Sequence, residues 1–206
     1  MYVPVHFAEH DEDIVWSLIE AHPFALLVSH DADGFHATHM PFLVDRQRRV
    51  LSAHMARANP QPQRTDGEAL VVISGPNAYI SPNWYPSKAI DGRAVPTWNY
   101  EAVHLYGRLT WQEDADWKRP HLTALSERFE RGEAQPWTLD EAPADYIERL
   151  FRGIVGVEFA IQRIEAKRKL SQNRTADNES VIENLRRVGD TGSMAIALAM
   201  ENLDRS

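Results

Sequence analysis

Residues 24–45, FALLVSHDADGFHATHMPFLVD, contain two apolar segments on either side of a turn sequence, and they decide the fold class. FALLVSH is short and apolar, as expected of a buried strand. DADG is typical of a hairpin turn in which Gly34 adopts a positive φ. We therefore predict that FHATHMPFLVD returns as a single second strand. RQRR then turns the chain again, and VLSAHMA is predicted to form a third strand.

The rest of the chain extends this antiparallel pattern. EALVVISGP, AYISP and YEAVHLYGRLTWQ favour β structure, and IVGVEFAIQRIEAK alternates with the period of a strand. DADWKRPHLTALSERFERG and APADYIERLFRG predict two helices, the first with Leu122, Leu125 and Phe129 on its apolar face. ESVIENLRRV and SMAIALAMENL predict two more helices. The pattern predicts a mainly β protein with helices (α+β), a small barrel rather than βαβ units.

We expect one main domain over residues 1–174, with a helical insertion at about 113–152, and a helical C-terminal tail over 175–206. The chain has no cysteine, which excludes disulfides, thiolate catalysis and zinc–thiolate sites. It has no apolar run long enough for a membrane helix and no secretory leader, so a cytoplasmic protein is expected. A net charge of −8 is not typical of a nucleic-acid-binding protein.

The stretch AHMARANPQ, residues 53–61, places a histidine, an arginine and an asparagine where the third strand ends. The prolines that follow predict a break in the strand at this point. His54, Arg57 and Asn59 at such a corner have two interpretations. They bind something phosphorylated, or they hold a turn in place.

Two aromatic, amide-rich segments, AYISPNWY at 78–85 and VPTWNY at 95–100, flank a long loop. Their Trp and Tyr rings suit stacking on a planar ligand, although composition alone favours a hydrophobic cluster beneath the loop. The prolines of this region restrict the unfolded chain, as a preformed binding surface requires. The Gly-Pro pair in SGPNAYISP predicts a turn.

KRKLSQNR, residues 167–174, follows the last predicted strand with cations and with hydroxyl and amide donors. This composition suits a phosphate, and it equally suits a solvated basic turn. A histidine metal site is disfavoured, because His36 and His39 are three residues apart and point to opposite faces of a strand. The chain has no G-x-S-x-G elbow and no glycine-rich phosphate loop.

Taken in order, the blocks HMPFL, AHMARANPQ, GPNAYISPNWY, VPTWNYEAVHLYG and KLSQNR resemble the signature blocks of PaiB-type proteins. These proteins are described as FMN-binding negative transcriptional regulators. The resemblance implies an antiparallel split β-barrel of the FMN-binding type and a homodimer with FMN at the subunit interface.

The resemblance also implies roles for individual residues. Arg57 would pair with the FMN phosphate, with His54 and Asn59 hydrogen-bonding beside it. The remaining residues implied in cofactor binding lie under the ribityl chain or ring (His39, Met40), in a ring-side wall from either subunit (Trp84, Tyr85, Trp98, Asn99), and near the last strand (Lys169, Ser171, Gln172).

Three functions stay open from the sequence. The family description implies a transcriptional regulator, but direct DNA binding is doubtful, because the chain is acidic and lacks a recognisable helix-turn-helix. A protein partner would avoid this objection. The alternative is an FMN-dependent oxidoreductase, a reductase or oxidase in which the flavin supplies the chemistry. Haem binding through a histidine is a weaker alternative, since no histidine is singled out.

Overall fold

We analysed a computed structural model that describes residues 1–63, 65 and 67–203. The strands are β1 (Ala8–Glu9), β2 (Phe24–Asp31), β3 (Gly34–Pro41), β4 (Leu43–Asp45), β5 (Val50–Ala56), β6 (Glu68–Ile80), β7 (Thr97–Gln112) and β8 (Ile154–Lys169). The helices are α1 (Glu12–Ala21), α2 (Lys88–Asp91), α3 (Ala115–Phe129), α4 (Ala144–Arg152), α5 (Asn178–Val188) and α6 (Thr191–Leu203). Residues 204–206 of the predicted tail lie outside the described residues.

The chain forms two compact units. The terminal unit consists of Met1–Leu18, Ser74–His104 and Glu165–Ser206, and the central unit consists of Ile19–Ile73 and Leu105–Ile164. The predicted division of the chain at residue 174 stays a prediction. Within the described residues, no helix has the length and apolarity needed to cross a membrane.

The strands form an open, mainly antiparallel sheet in the order β3-β2-β6-β7-β8-β5-β4. The predicted hairpin is present: β2 pairs with β3 from Phe24↔Pro41 to Asp31↔Gly34. Gly34 has the expected positive φ, 125°. The third strand is also where the sequence predicts it, and β5 pairs with β8 over its whole length. These pairings confirm the mainly β fold with helices.

Two strand predictions were wrong in detail. FHATHMPFLVD is not one strand, because β3 ends at Pro41, and the next N–H, that of Phe42, donates to the carbonyl of Pro23 at 2.9 Å. The Gly-Pro pair at Gly75 does not turn the chain but lies inside β6. A Cβ at Gly75 would lie 3.0 Å from the backbone oxygen of Glu101, so glycine serves close backbone approach here.

Helices α5 and α6 pack on the hydrophobic core of the terminal unit. Its buried members are Ala78, Ile80, Tyr85, Leu170, Val181, Leu185, Ile196, Ala197, Ala199 and Met200. Helix α5 ends at Gly189, which adopts the left-handed conformation that commonly stops a helix. Both predicted tail helices are therefore present.

Helix α3 of the central unit turns the predicted face inward, but its most deeply buried residues are polar. Its buried residues are Lys118 and His121, whereas Phe129 is exposed and Leu122 and Leu125 are only partly buried. The apolar stripe indicates a helix correctly. Lys118 and His121 share this face with Leu122, since they are four and one residues away from it along the helix. Leu122 packs against an apolar cluster, whereas His121 contacts His54 and Lys118 donates to the carbonyl of Phe151.

Candidate functional site

Arg57 lies directly after β5 and is held in place by the chain segment that opens β8. Its backbone N–H donates to the carbonyl of Gly153 at 2.9 Å. Its side chain donates from Nε to the carbonyl of Arg152 at 2.8 Å and from Nη2 to that of Ile154 at 3.2 Å. Two main-chain carbonyls therefore fix the direction of the guanidinium, and a third holds the Arg57 backbone.

The outer edge of the Arg57 guanidinium forms a two-point ion pair with Glu113. Nη1 lies 3.0 Å from Oε1, and Nη2 contacts Oε2. Hydrogen bonding within the pair lowers the pKa of Glu113 and raises the pKa of Arg57. The two residues line a pocket of about 150 Å³ together with Pro62, Gln63, Trp111 and Val155. This fork geometry is the one that arginine uses for carboxylates and phosphates.

Asn59 holds the turn that follows β5. Its Oδ1 accepts from the backbone N–H of Gln61 at 2.9 Å, and its Nδ2 donates to Thr38 Oγ1 at 2.9 Å. Gln61 is buried and donates to Ser29 Oγ at 3.0 Å. Of the two interpretations that the sequence leaves open for this corner, the turn-holding role is present for Asn59. Its contact with FMN stays a prediction.

His54 points from β5 to His121 on α3, with 3.3 Å between Nδ1 and Nε2. The ring of Trp117 stacks on His121 at 4.7 Å, and its Nε1 donates to Glu158 at 3.3 Å. Burial lowers the pKa of His54, and burial followed by repulsion from His54 lowers the pKa of His121 to about 4. The pair is therefore neutral near pH 7.

His39 and Met40 lie on opposite faces of β3, as strand alternation requires. His39 is exposed and stacks on Phe24 with 6.0 Å between ring centroids, whereas Met40 is buried in the core. A ligand on one face of β3 could therefore contact only one of these two side chains. His39 is the one open to solvent.

The predicted aromatic wall belongs to the terminal unit, where its members differ in exposure. Tyr85 is buried in the core of this unit, Trp84 packs against that core, and the guanidinium of Arg174 lies over the Tyr85 ring at 4.8 Å. Trp98 is exposed and meets Tyr79 edge-on, with 6.0 Å between centroids. It lines a pocket of about 300 Å³ whose other residues are Ser74, Gly75, Asn77, Tyr100, Glu101 and Ala102.

Asn99, Ser171 and Gln172 join β7 to the chain segment after β8. Asn99 is fully buried and donates from Nδ2 to Ser171 Oγ at 2.9 Å. Ser171 has a positive φ, 64°, and Gln172 spans this turn by accepting from the N–H of Leu170 and donating to the carbonyl of Arg168. These contacts give KLSQNR a structural role. Direct contact of Asn99, Ser171 and Gln172 with FMN stays a prediction.

Lys169, like Arg174, is a cation of this segment that lies partly open to solvent. Its ammonium donates to Thr97 Oγ1 at 2.9 Å and to the carbonyl of Trp98 at 2.6 Å. Burial, followed by repulsion from Lys167, lowers its pKa. Lys169 therefore lies beside the exposed Trp98, and its role towards FMN stays a prediction.

Sequence reasoning missed Glu113, Trp117, Lys118 and His121, which surround the Arg57 corner. The available signal was the spacing of Lys118 and His121, three residues apart and hence on one face of α3. That signal is weak, because charged and polar residues on a helix usually face solvent. Among the described residues, no group of three or more His, Asp or Glu is arranged to hold a metal ion.

Comparison with known proteins agrees with this fold. The sequence model of the family described as "Putative FMN-binding domain" matches residues 1–163. "Protease synthase and sporulation protein PAI 2" of Bacillus subtilis (strain 168) is 32% identical over 207 residues, which cover 98% of this chain and 97% of that protein.

Two solved structures are similar in fold. The flavocytochrome Anf3 of Azotobacter vinelandii aligns with a TM-score of 0.58 at 16% identity, over 81% of this chain and 72% of that one. The FAD and heme binding protein of Mycobacterium smegmatis aligns with a TM-score of 0.56 at 17% identity, over 79% and 73%. The predicted fold of the flavin-binding split-barrel type, with an open sheet, is confirmed.

Proposed function

Since the chain belongs to the FMN-binding domain family and FMN is its cofactor, we propose that it acts as a homodimer that lowers transcription through a protein partner. The name of the Bacillus subtilis relative, which links that protein to protease synthesis and sporulation, supports a regulatory role. A net charge of −8 argues against direct binding to DNA.

The observation that carries FMN binding is the Arg57 corner. The guanidinium lines a pocket, is aimed by main-chain acceptors, and presents its two outer donors to an oxyanion. A phosphate monoester offers the same pair of oxygens with more charge. We therefore assign Arg57 to the FMN phosphate.

Two further exposed side chains are proposed to meet the rest of the cofactor. His39 would contact the ribityl chain, and Trp98 would stack on the flavin ring, since both present open ring surface. Lys169 would act beside Trp98. The other predicted cofactor-binding residues are buried, hydrogen-bonded or, for Trp84, packed against a core (Met40, His54, Asn59, Trp84, Tyr85, Asn99, Ser171, Gln172). We propose that they hold these exposed groups in position.

The test of the FMN assignment is a titration of wild-type protein and Arg57→Ala with FMN and with riboflavin, which lacks the phosphate. We expect Arg57→Ala to weaken FMN binding about tenfold to a hundredfold, because one charge-assisted contact is lost. Riboflavin affinity should stay unchanged. Equal FMN affinity in both proteins would show that Arg57 does not bind the FMN phosphate.

The regulatory proposal has its own measurements. Sedimentation velocity should give the mass of a dimer, and a gel shift of the FMN-loaded protein on promoter DNA should show no complex at physiological salt. Transcript levels should rise when the gene is deleted and return with the wild-type gene. If the dimer forms a specific complex with promoter DNA in the gel shift, direct DNA binding replaces the protein-partner mechanism. If transcript levels do not change when the gene is deleted, the protein has no regulatory role.

A further inference from the structure

The Arg57–Glu113 ion pair has a second cation beside it, and this determines which anions could take the place of the Glu113 carboxylate. Lys118 Nζ lies 3.8 Å from Glu113 Oε2, on the side of the carboxylate that also contacts Arg57 Nη2. A single carboxylate thus faces two cations. Two cations converging on one pair of oxygens favour a ligand with more than one negative charge.

Lys118 is buried, with 3% of its side chain exposed. Its ammonium donates to the carbonyl of Phe151 at 3.0 Å. A buried ammonium is costly unless an anion compensates its charge. Glu113 supplies that anion here, and an oxyanion in the same place would do so equally well.

Glu113 is the most exposed of the three side chains. It follows the last residue of β7 and precedes Asp114, the N-cap of α3, and 60% of its side chain is exposed. Arg57 keeps its hydrogen bonds to the carbonyls of Arg152 and Ile154 if Glu113 leaves. Displacement of Glu113 would therefore leave both cations in position.

We propose that Arg57 and Lys118 form a binding site for a phosphate monoester dianion, and that the Glu113 carboxylate occupies this site until the phosphate displaces it. The proposal rests on the proposed role of Arg57 in binding the FMN phosphate. It adds Lys118 as a second phosphate-binding cation and Glu113 as an internal competitor. Phosphate affinity is lowered by the competition, while a flavin without phosphate leaves Glu113 in place.

The experiment compares FMN and riboflavin affinity in wild-type protein, Glu113→Gln and a matched control, Glu133→Gln, which changes an exposed carboxylate on the loop after α3. Glu113→Gln should bind FMN about fivefold more tightly, because an ion pair of this exposure no longer competes. Riboflavin affinity should be the same in all three proteins. Inorganic phosphate, titrated in the absence of FMN, should also bind Glu113→Gln more tightly than wild type.

Lys118→Met supplies the second arm, with circular dichroism to establish that it folds. The folded variant should bind FMN more weakly, with riboflavin unchanged. If Glu113→Gln binds FMN no more tightly than wild type while Arg57→Ala still binds it weakly, the competition is overturned and the Arg57 assignment stands. If Arg57→Ala binds FMN normally, the proposed function fails instead. Equal tightening in Glu133→Gln would indicate a general charge effect and would also overturn the proposal.

Discussion

The two units each contain an arginine paired with glutamate, and the two arrangements differ in burial. In the central unit, Arg57 and Glu113 form a pair whose side chains are 46% and 60% exposed. In the terminal unit, Arg168 donates to Glu101 at 2.5 Å and to Glu9 at 3.2 Å, and the Arg168 and Glu101 side chains are only 11% and 6% exposed.

The difference in burial separates a binding element from a structural one. An exposed pair is weakened by water and salt, so a ligand can replace one partner at little cost. A buried pair cannot be opened without leaving an uncompensated charge inside the protein. Arg168, which lies in β8, therefore contributes to the stability of its unit, whereas Arg57 has a carboxylate partner that a ligand can replace.

The largest effect is expected from Arg168→Met. This change leaves Glu101 and Glu9 without their cation, and we expect the free energy of unfolding to fall by about 3–5 kcal/mol. Urea denaturation followed by circular dichroism measures it. Arg186→Met, which removes an exposed ion pair with Glu201 in the same unit, is the matched control and should cost less than about 1 kcal/mol. Equal losses in both variants would contradict the burial argument.

A smaller effect is expected from the buried histidines beside the Arg57 corner. The pKa of His121 falls from 6.5 to about 4 on folding, so the unfolded chain binds a proton that the folded protein does not. Stability should therefore decrease as the pH drops below 6.5 and level off near 4, with a total loss of about 3 kcal/mol. The lowered pKa of His54 acts in the same direction.

His121→Phe removes this titrating group and keeps a ring against Trp117. We expect its stability to vary less between pH 6.5 and 4 than that of wild type, measured by urea denaturation at a series of pH values. His10→Gln, at an exposed position of the terminal unit, is the control and should follow the wild-type curve. A His121→Phe curve as steep as wild type would assign the pH dependence to other groups.

A loss of about 1–3 kcal/mol is expected from Asn99→Ala, because Asn99 is fully buried and its amide is hydrogen-bonded to Ser171. Thermal and urea denaturation measure this loss. The FMN affinity of the folded variant then tests whether Asn99 only stabilises its unit or also contacts the cofactor. A marked drop in FMN affinity without loss of stability would favour direct contact between Asn99 and the cofactor.

The smallest effect on stability is expected at the exposed pair itself. Glu113→Gln should leave the denaturation midpoint of the protein almost unchanged, since both partners are half exposed. Its effect should appear in FMN affinity instead. A large loss of stability in Glu113→Gln would mean that the Arg57–Glu113 pair stabilises the fold as the buried Arg168 pair does, and would contradict the distinction between the two pairs.

Much of the architecture follows from local sequence patterns. Residue spacing over a few helical turns or strand positions predicts four features: the hairpin with Gly34 at positive φ, the third strand, the alternating last strand and the tail helices. The absence of cysteine, of a nucleophile elbow and of a glycine-rich phosphate loop is also a property of the sequence. These features predicted a mainly β fold with helices, whereas the flavin cofactor was predicted from the resemblance of the signature blocks to PaiB-type proteins.

Tertiary structure decided what the candidate residues contact. Glu113 meets Arg57 from 56 positions away. Lys118 and His121 are buried on α3 because polar groups pack against them. The Gly75–Pro76 pair stays extended because the β7 backbone lies against it. Periodicity determines which element forms, since it depends on neighbouring residues. The partner of an ion pair depends on long-range packing, which no local pattern records.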